Sequence, residues 1–164
     1  MATRLLLGFD PGRDKCGLAL VQSGLDDSGP PGNEVLSHDV VMAGEAIAHI
    51  QAILQRFRIA TLIIGNQTTS KQWQQRLRSE LVAEPFPEIV PVDERNTTLL
   101  ARDRYWHMFP PQGLQRLLPQ GLRQPPRPID DIVAILLVER YLGVENLGVE
   151  NLGVENSGVG DLGL

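Results

Sequence analysis

The chain has 164 residues, 42% of them hydrophobic, and a formal net charge of −5, which suits one domain with a sizeable core. Its longest unbroken apolar run, 132–138 (IVAILLV), is far too short for a bilayer span, and a lone cysteine, Cys16, excludes an intramolecular disulfide. That cysteine and the scattered His38, His49 and His107 argue against zinc, no signal-peptide pattern opens the chain, and a cytoplasmic location with no membrane partner is expected.

The apolar run 5–9 (LLLGF) leads to Asp10, a Pro11-Gly12 turn and a second apolar run, 16–21 (CGLALV). The pattern predicts strand, tight turn, strand, with Asp10 closing the first strand. Gly12 and Gly17 bracket the turn and let the backbone come close to a phosphate or a neighbouring strand. An acid placed there suits a divalent metal held against a phosphodiester, or a nucleotide-phosphate cradle. It equally suits an ordinary hairpin whose Asp bonds turn amides.

Residues 24–33 (GLDDSGPPGN) read as a loop, and 34–42 (EVLSHDVVM) as a third strand at a sheet edge. In 44–58, Ile47, Ile50, Ile53, Leu54 and Phe57 recur at helical spacing. The compact run 61–65 (TLIIG) predicts a buried parallel strand. A polar loop, 66–70, then caps a helix over about 71–83, which Pro85 and Pro87 stop. Residues 89–92 (IVPV) form a short strand, in which Pro91 points to an edge position or a strand already ending. It delivers Asp93, Glu94 and Arg95, and Asn96 or Thr97 caps a helix to about His107. Residues 109–126 hold too much Pro and Gly for a long helix and read as a loop with one helical turn. Pro128 suits a helix start, and 129–142 is apolar on nearly every side, as a buried helix is.

Residues 143–164 repeat Gly-Val-Glu-Asn-Leu at period five, which matches neither helix nor strand, and read as a disordered acidic tail beyond a domain of residues 1–142. The order βββαβαβα predicts an α/β domain of three layers: a mixed five-stranded sheet with helices on both faces.

Charge is unevenly placed. Glu145, Glu150, Glu155 and Asp161 lie in the tail and no Lys or Arg follows Arg140, so the body is close to neutral. Within it, Arg95, Arg102, Arg104, Arg116, Arg123 and Arg127 face only Asp103 across 95–128. Arginine is the side chain best matched to phosphate, although a solvated helix face and loop would read the same way. On either side stand acids at element ends: Asp10, the pair Asp93-Glu94, and the pair Asp130-Asp131. In an α/β sheet the ends of parallel strands share one edge, where sites are built. Two strand spacings, roughly 10 Å, separate Asp10 from Glu94 in this layout. Oxygen-only donors select Mg²⁺ or Mn²⁺. The plainer alternatives are a helix cap or dipole partner for Asp130 or Asp131, and a surface pair between Asp93 and Arg95.

The segments FDPGRDKCGLAL, VDERNTTLLARDRYW and PIDDIVAILLVERYL together resemble the YqgF (RuvX) family, RNase H-like nucleases related to the RuvC Holliday junction resolvases. The matching positions are Asp10, Gly12, Gly17 and Ala19, then Asp93, Glu94, Arg95, Thr97 and Thr98, then Asp130, Ala134 and Tyr141. The chain departs from the family at 65–68 (GNQT, where Gly-Leu-Pro is usual) and at 13–15 (RDK), and neither change removes an expected metal ligand. The resemblance implies an RNase H-like fold and a divalent-metal nuclease using Asp10, Glu94 and Asp130, with Asp131 as the alternative to Asp130. It implies Mg²⁺ or Mn²⁺ as cofactor and a structured nucleic acid as partner: a ribosomal RNA precursor cut at the 5′ end of 16S, or branched DNA. A homodimer stays open. The rivals are a nucleic-acid-binding module without turnover, and half of an actin-like ATPase, for whose second phosphate loop the chain is too short.

Overall fold

The computed structural model describes residues 3–24, 32–67 and 69–152. Most of the loop expected at 24–33 and the end of the repeat segment, 153–164, lie outside the described residues. Strands β1 (Arg4–Asp10), β2 (Lys15–Gly24) and β3 (Gly32–Met42) form an antiparallel meander. β4 (Ile59–Gly65) pairs parallel with β1, and β5 (Glu88–Val92) pairs parallel with β4. The sheet order is therefore β3-β2-β1-β4-β5, mixed and five-stranded, as expected. Pro91 does sit on an edge strand, where its missing N–H costs no ladder bond.

Helices α1 (Ala46–Arg56) and α2 (Ser70–Glu80) cover one face, and α3 (Thr97–Met108) and α4 (Asp130–Leu152) the other. The strands are apolar on both sides for this reason. Leu7, Phe9, Leu18, Leu20, Leu62 and Ile64 pack towards Ile50, Trp73 and Leu77. Leu6, Val21 and Ile63 pack towards Ala101, Trp106, Ile132 and Leu137. The Pro-rich connection between α3 and α4 contains two 3-10 turns, Gly113–Leu117 and Gln120–Leu122, where one turn was expected.

One boundary differs from the sequence reading. α4 does not stop at Leu142 but continues to Leu152, into the first residues of the repeat. A glycine in a helix costs about 1 kcal/mol relative to alanine, and extending a helix already nucleated by its packed half is far easier than starting one.

Candidate active site

Alternation along β1 turns Leu6 towards α4, and Gly8 and Asp10 follow on the same face; on β2 their register partners are Ala19 and Gly17. A Cβ on Gly8 would collide with the Ala134 carbonyl and lie 2.8 Å from Val138 Cγ2, and one on Gly17 would overlap the Asp130 carbonyl. The first turns of α4 thus rest directly on bare backbone, and Asp130 is delivered beside Asp10. Gly65, at the end of β4, does the same for Glu94: a Cβ there would fall on the Glu94 carboxylate. Although Glu94 follows β5, its side chain reaches back over β4, the strand next to β1. The separation from Asp10 therefore shrinks to about one strand spacing, ~4.8 Å, instead of two.

The turn carrying Glu94 is fixed from several sides. The Asp93 carboxylate accepts from the Arg95 backbone N–H at 2.9 Å and from Arg95 Nε at 2.6 Å. Asn96 takes the left-handed conformation at φ 64, and Thr97 donates to the Glu94 carbonyl through Oγ1 at 2.6 Å and through its N–H at 3.0 Å. From α4, Arg140 donates to the Asp93 carbonyl and, at 3.0 Å, to the Arg95 carbonyl. Glu94 is thereby bracketed by one guanidinium.

Electrostatics set these acids apart from surface carboxylates. Burial, and then the charges of Glu94 and Asp130, push the Asp10 carboxyl up from 3.8 to about 8. Burial, and then Asp93, push Glu94 up to about 7. Glu94 is only 5% exposed, and its Oε1 has no hydrogen-bond partner. A buried carboxylate oxygen left in this state is costly unless something cationic or protic faces it.

The donors fit a divalent cation in kind: all are oxygens, one is orphaned and buried, and their mutual repulsion is what a cation would remove. Their placement is not yet that of a closed cage, because among the described residues no three His, Cys, Asp or Glu side chains are grouped so as to hold a metal ion. The Glu94 carboxylate lies over Gly65, and the Asp130 backbone over Gly17.

Asp131, the alternative ligand, is committed elsewhere. It is 2% exposed, with Oδ2 2.6 Å from His38 Nδ1 and Oδ1 3.0 Å from Arg127 Nη1. Burial alone would raise its carboxyl, but bonds from Arg127 and His38 hold it below the ordinary value. Of the two adjacent acids, Asp130 is the one whose charge acts on Asp10.

The arginines divide in a similar way. Arg123 donates from Nε to the carbonyls of Leu118 (2.8 Å) and Gln115 (3.0 Å) and from Nη2 to that of Arg116 (3.4 Å), stapling the 3-10 segment from within. Arg102 donates to the Arg123 carbonyl at 3.2 Å. Arg104 pairs with Glu139 at 2.8 Å, and Arg127 with Asp131. The Arg95 side chain is 87% exposed despite its bond to Asp93, and Arg116 is exposed. Gly12 serves the first turn, where a Cβ would overlap the Lys15 carbonyl.

No family model matches this sequence, and no curated protein sequence does. The fold is nonetheless shared with solved structures. The chain is similar to the Thermus thermophilus RuvC structure, with a TM-score of 0.57 at 16% identity, covering 88% of this chain and 96% of that one. It is also similar to T. thermophilus RuvC in complex with a Holliday junction substrate, with a TM-score of 0.53 at 19% identity and the same coverages. The fold is RuvC-like, within the RNase H-like class. Among the described residues, no helix is long and apolar enough to cross a membrane.

Some site residues escaped the sequence reading. Gly8 and Gly65 had a visible signal, since each is a glycine within or ending an apolar strand. Arg140 and His38 had none, because their partners lie 47 and 93 residues away.

Proposed function

We propose that this chain is a divalent-metal-dependent endonuclease that hydrolyses phosphodiester bonds in structured nucleic acid. The observation that carries the reading is the cluster of Asp10, Glu94 and Asp130, in which two carboxyls are raised and one buried oxygen lacks a partner. Mg²⁺ or Mn²⁺, when bound, would neutralise charge on the phosphoryl oxygens and make water a better nucleophile. Asp10 and Asp130 would hold the ion from β1 and the start of α4, and Glu94 from the far side of Gly65. Asp10 is rigid because β1 is paired on both sides, and Glu94 because Arg140 and Thr97 fix its turn. The exposed Arg95 guanidinium, next to Glu94, supplies a contact for the substrate backbone.

The motif resemblance favours a ribosomal RNA precursor, and the likeness to a resolvase bound to a Holliday junction favours branched DNA. Incubating wild type and Asp10→Asn with both substrates, with and without Mg²⁺ or Mn²⁺, separates them. Metal-dependent cutting of one substrate, lost in the variant, supports the assignment and chooses the substrate. Binding without cutting by wild type would instead identify a silent binding module.

A further inference from the structure

Between α3 and the segment that leads into α4 lies a pocket of about 340 Å³ lined by Arg102, Gln124, Pro125, Arg127, Pro128 and Ile129. We propose that it is a subsite for a second backbone phosphate of the nucleic-acid strand, next to the one presented to Asp10 and Asp130. The inference rests on the nucleic-acid reading above and adds a location and a contact set to it.

Both guanidiniums are fixed before any ligand arrives. Arg102 is anchored through Nη2 on the Arg123 carbonyl at 3.2 Å. Arg127 is anchored through Nη1 on the Pro128 carbonyl at 2.8 Å and Asp131 at 3.0 Å. Its plane is further held against Tyr105 and Phe109, with centroids 5.5 and 5.4 Å away. The Arg127 anchors use Nη1 and leave Nε and Nη2, whose N–H groups point the same way, as the planar fork that matches phosphate. Arg102, anchored through one Nη2 hydrogen, keeps its other N–H groups as additional donors. Held side chains lose little further entropy on binding, which raises the yield of each contact.

Charge and position agree with that role. Asp131 offsets one of the two positive charges, and no acid lines the pocket itself, so the cavity is net cationic. Pro125, Pro128 and Ile129 give it apolar walls against which a sugar can pack. Ile129 immediately precedes Asp130, so their Cα atoms are about 3.8 Å apart and the pocket adjoins the start of α4. The remaining arginines of this segment do not converge in this way: Arg123 is spent on carbonyls and Arg104 on Glu139.

The test is the salt dependence of binding, measured in EDTA by fluorescence anisotropy on a labelled four-way DNA junction and a labelled ribosomal RNA precursor fragment. Losing one phosphate contact should reduce the slope of log K against log salt by about 0.9 on duplex and about 0.7 on single strands. Arg102→Gln should show that reduction and Arg102→Lys should largely retain the wild-type slope. Gln124→Glu, which adds a carboxylate to the pocket without touching the core, should weaken binding as Arg102→Gln does. Arg78→Gln, exposed on α2 across the sheet, should match wild type. The nucleic acid that shows the effect identifies the source of the phosphate. Unchanged slopes in both Arg102→Gln and Gln124→Glu, with wild-type binding intact, would overturn the subsite. Wild type that binds neither nucleic acid would overturn the functional reading itself, whereas binding with the predicted slopes but no cleavage leaves the subsite standing.

Discussion

Replacing Asp10 by asparagine should make the metal-free protein more stable while removing its activity. The Asp10 carboxyl is raised from 3.8 to about 8, so between those values the folded chain keeps a proton that the unfolded chain has released. Stability from this group is therefore complete below about pH 4 and is lost as pH rises towards 8. At about 1.36 kcal/mol per pH unit, the cost of the site at pH 7 reaches an upper bound of about 4 kcal/mol. Asp10 is partly exposed and its carboxyl feels the charges of Glu94 and Asp130, so water and its neighbours take up a share, and about 2 kcal/mol is the expected net effect. Asparagine has the shape of the protonated acid and no charge to desolvate. For a chain of this size, 2 kcal/mol corresponds to a rise in Tm of about 4–8 °C.

Thermal melts of both proteins in EDTA from pH 4 to 8.5 measure it. The gap between variant and wild type should widen with pH and level off above about pH 8. Adding Mn²⁺ should then raise the wild-type Tm and leave the variant nearly unmoved, since an ion that binds only the folded state stabilises it by mass action. An Asp10→Asn protein that melts at or below wild type at pH 8 would refute the claim that this carboxylate is held at a cost.

Gly65→Ala should push Glu94 off its seat, lowering stability by about 1–3 kcal/mol and cleavage with it, as read by melts and a cleavage assay. Asp131→Ala should lower stability by roughly 1–3 kcal/mol, because it removes the acceptor of Arg127 and His38, both of which water still reaches; Asp130→Asn should leave the Tm level or higher. The depressed Asp131 carboxyl contributes stability above its unfolded value that disappears as pH falls through the folded one, so Asp131→Asn should remove that acid-side loss in a pH series. Arg140→Ala should reduce kcat about tenfold or more with little change in KM, and Arg140→Lys should not restore it, because a single ammonium does not reproduce the planar fork that spans two carbonyls.

The strand and helix order was legible because both sources of periodicity are strong here. The runs LLLGF and TLIIG carry no alternation and so announce strands covered on both sides, while Pro91 announces an edge. The helix end at Leu142 was not legible. A five-residue repeat with glycine argues against starting a helix, and the sequence does not show that a packed segment has already started one. The acids were legible by type and by their places at element ends, yet the choice between Asp130 and Asp131 was not. Adjacent residues on a helix differ by about 100°, and a helix apolar all round has no polar face to orient them. What favours Asp130 as the proposed ligand is that His38, on an edge strand far away in sequence, and Arg127 engage Asp131.

The glycines show most clearly how far local reading goes. Gly8, Gly17 and Gly65 all lie in strands, where glycine weakens the sheet unless something needs the space. Gly17 was noticed because it flanks a turn, but the three have one shared cause. They strip side chains from the α4 face of adjacent strands β2, β1 and β4, so that Asp130, the start of α4 and Glu94 can descend onto the backbone beside Asp10. Close approach of this kind concentrates three carboxylates in a poorly solvated space, which is the origin of the raised pKa values. The same packing that assembles the site therefore makes its ionised form unfavourable. That link is why a stability measurement on the metal-free protein can test a claim about catalysis.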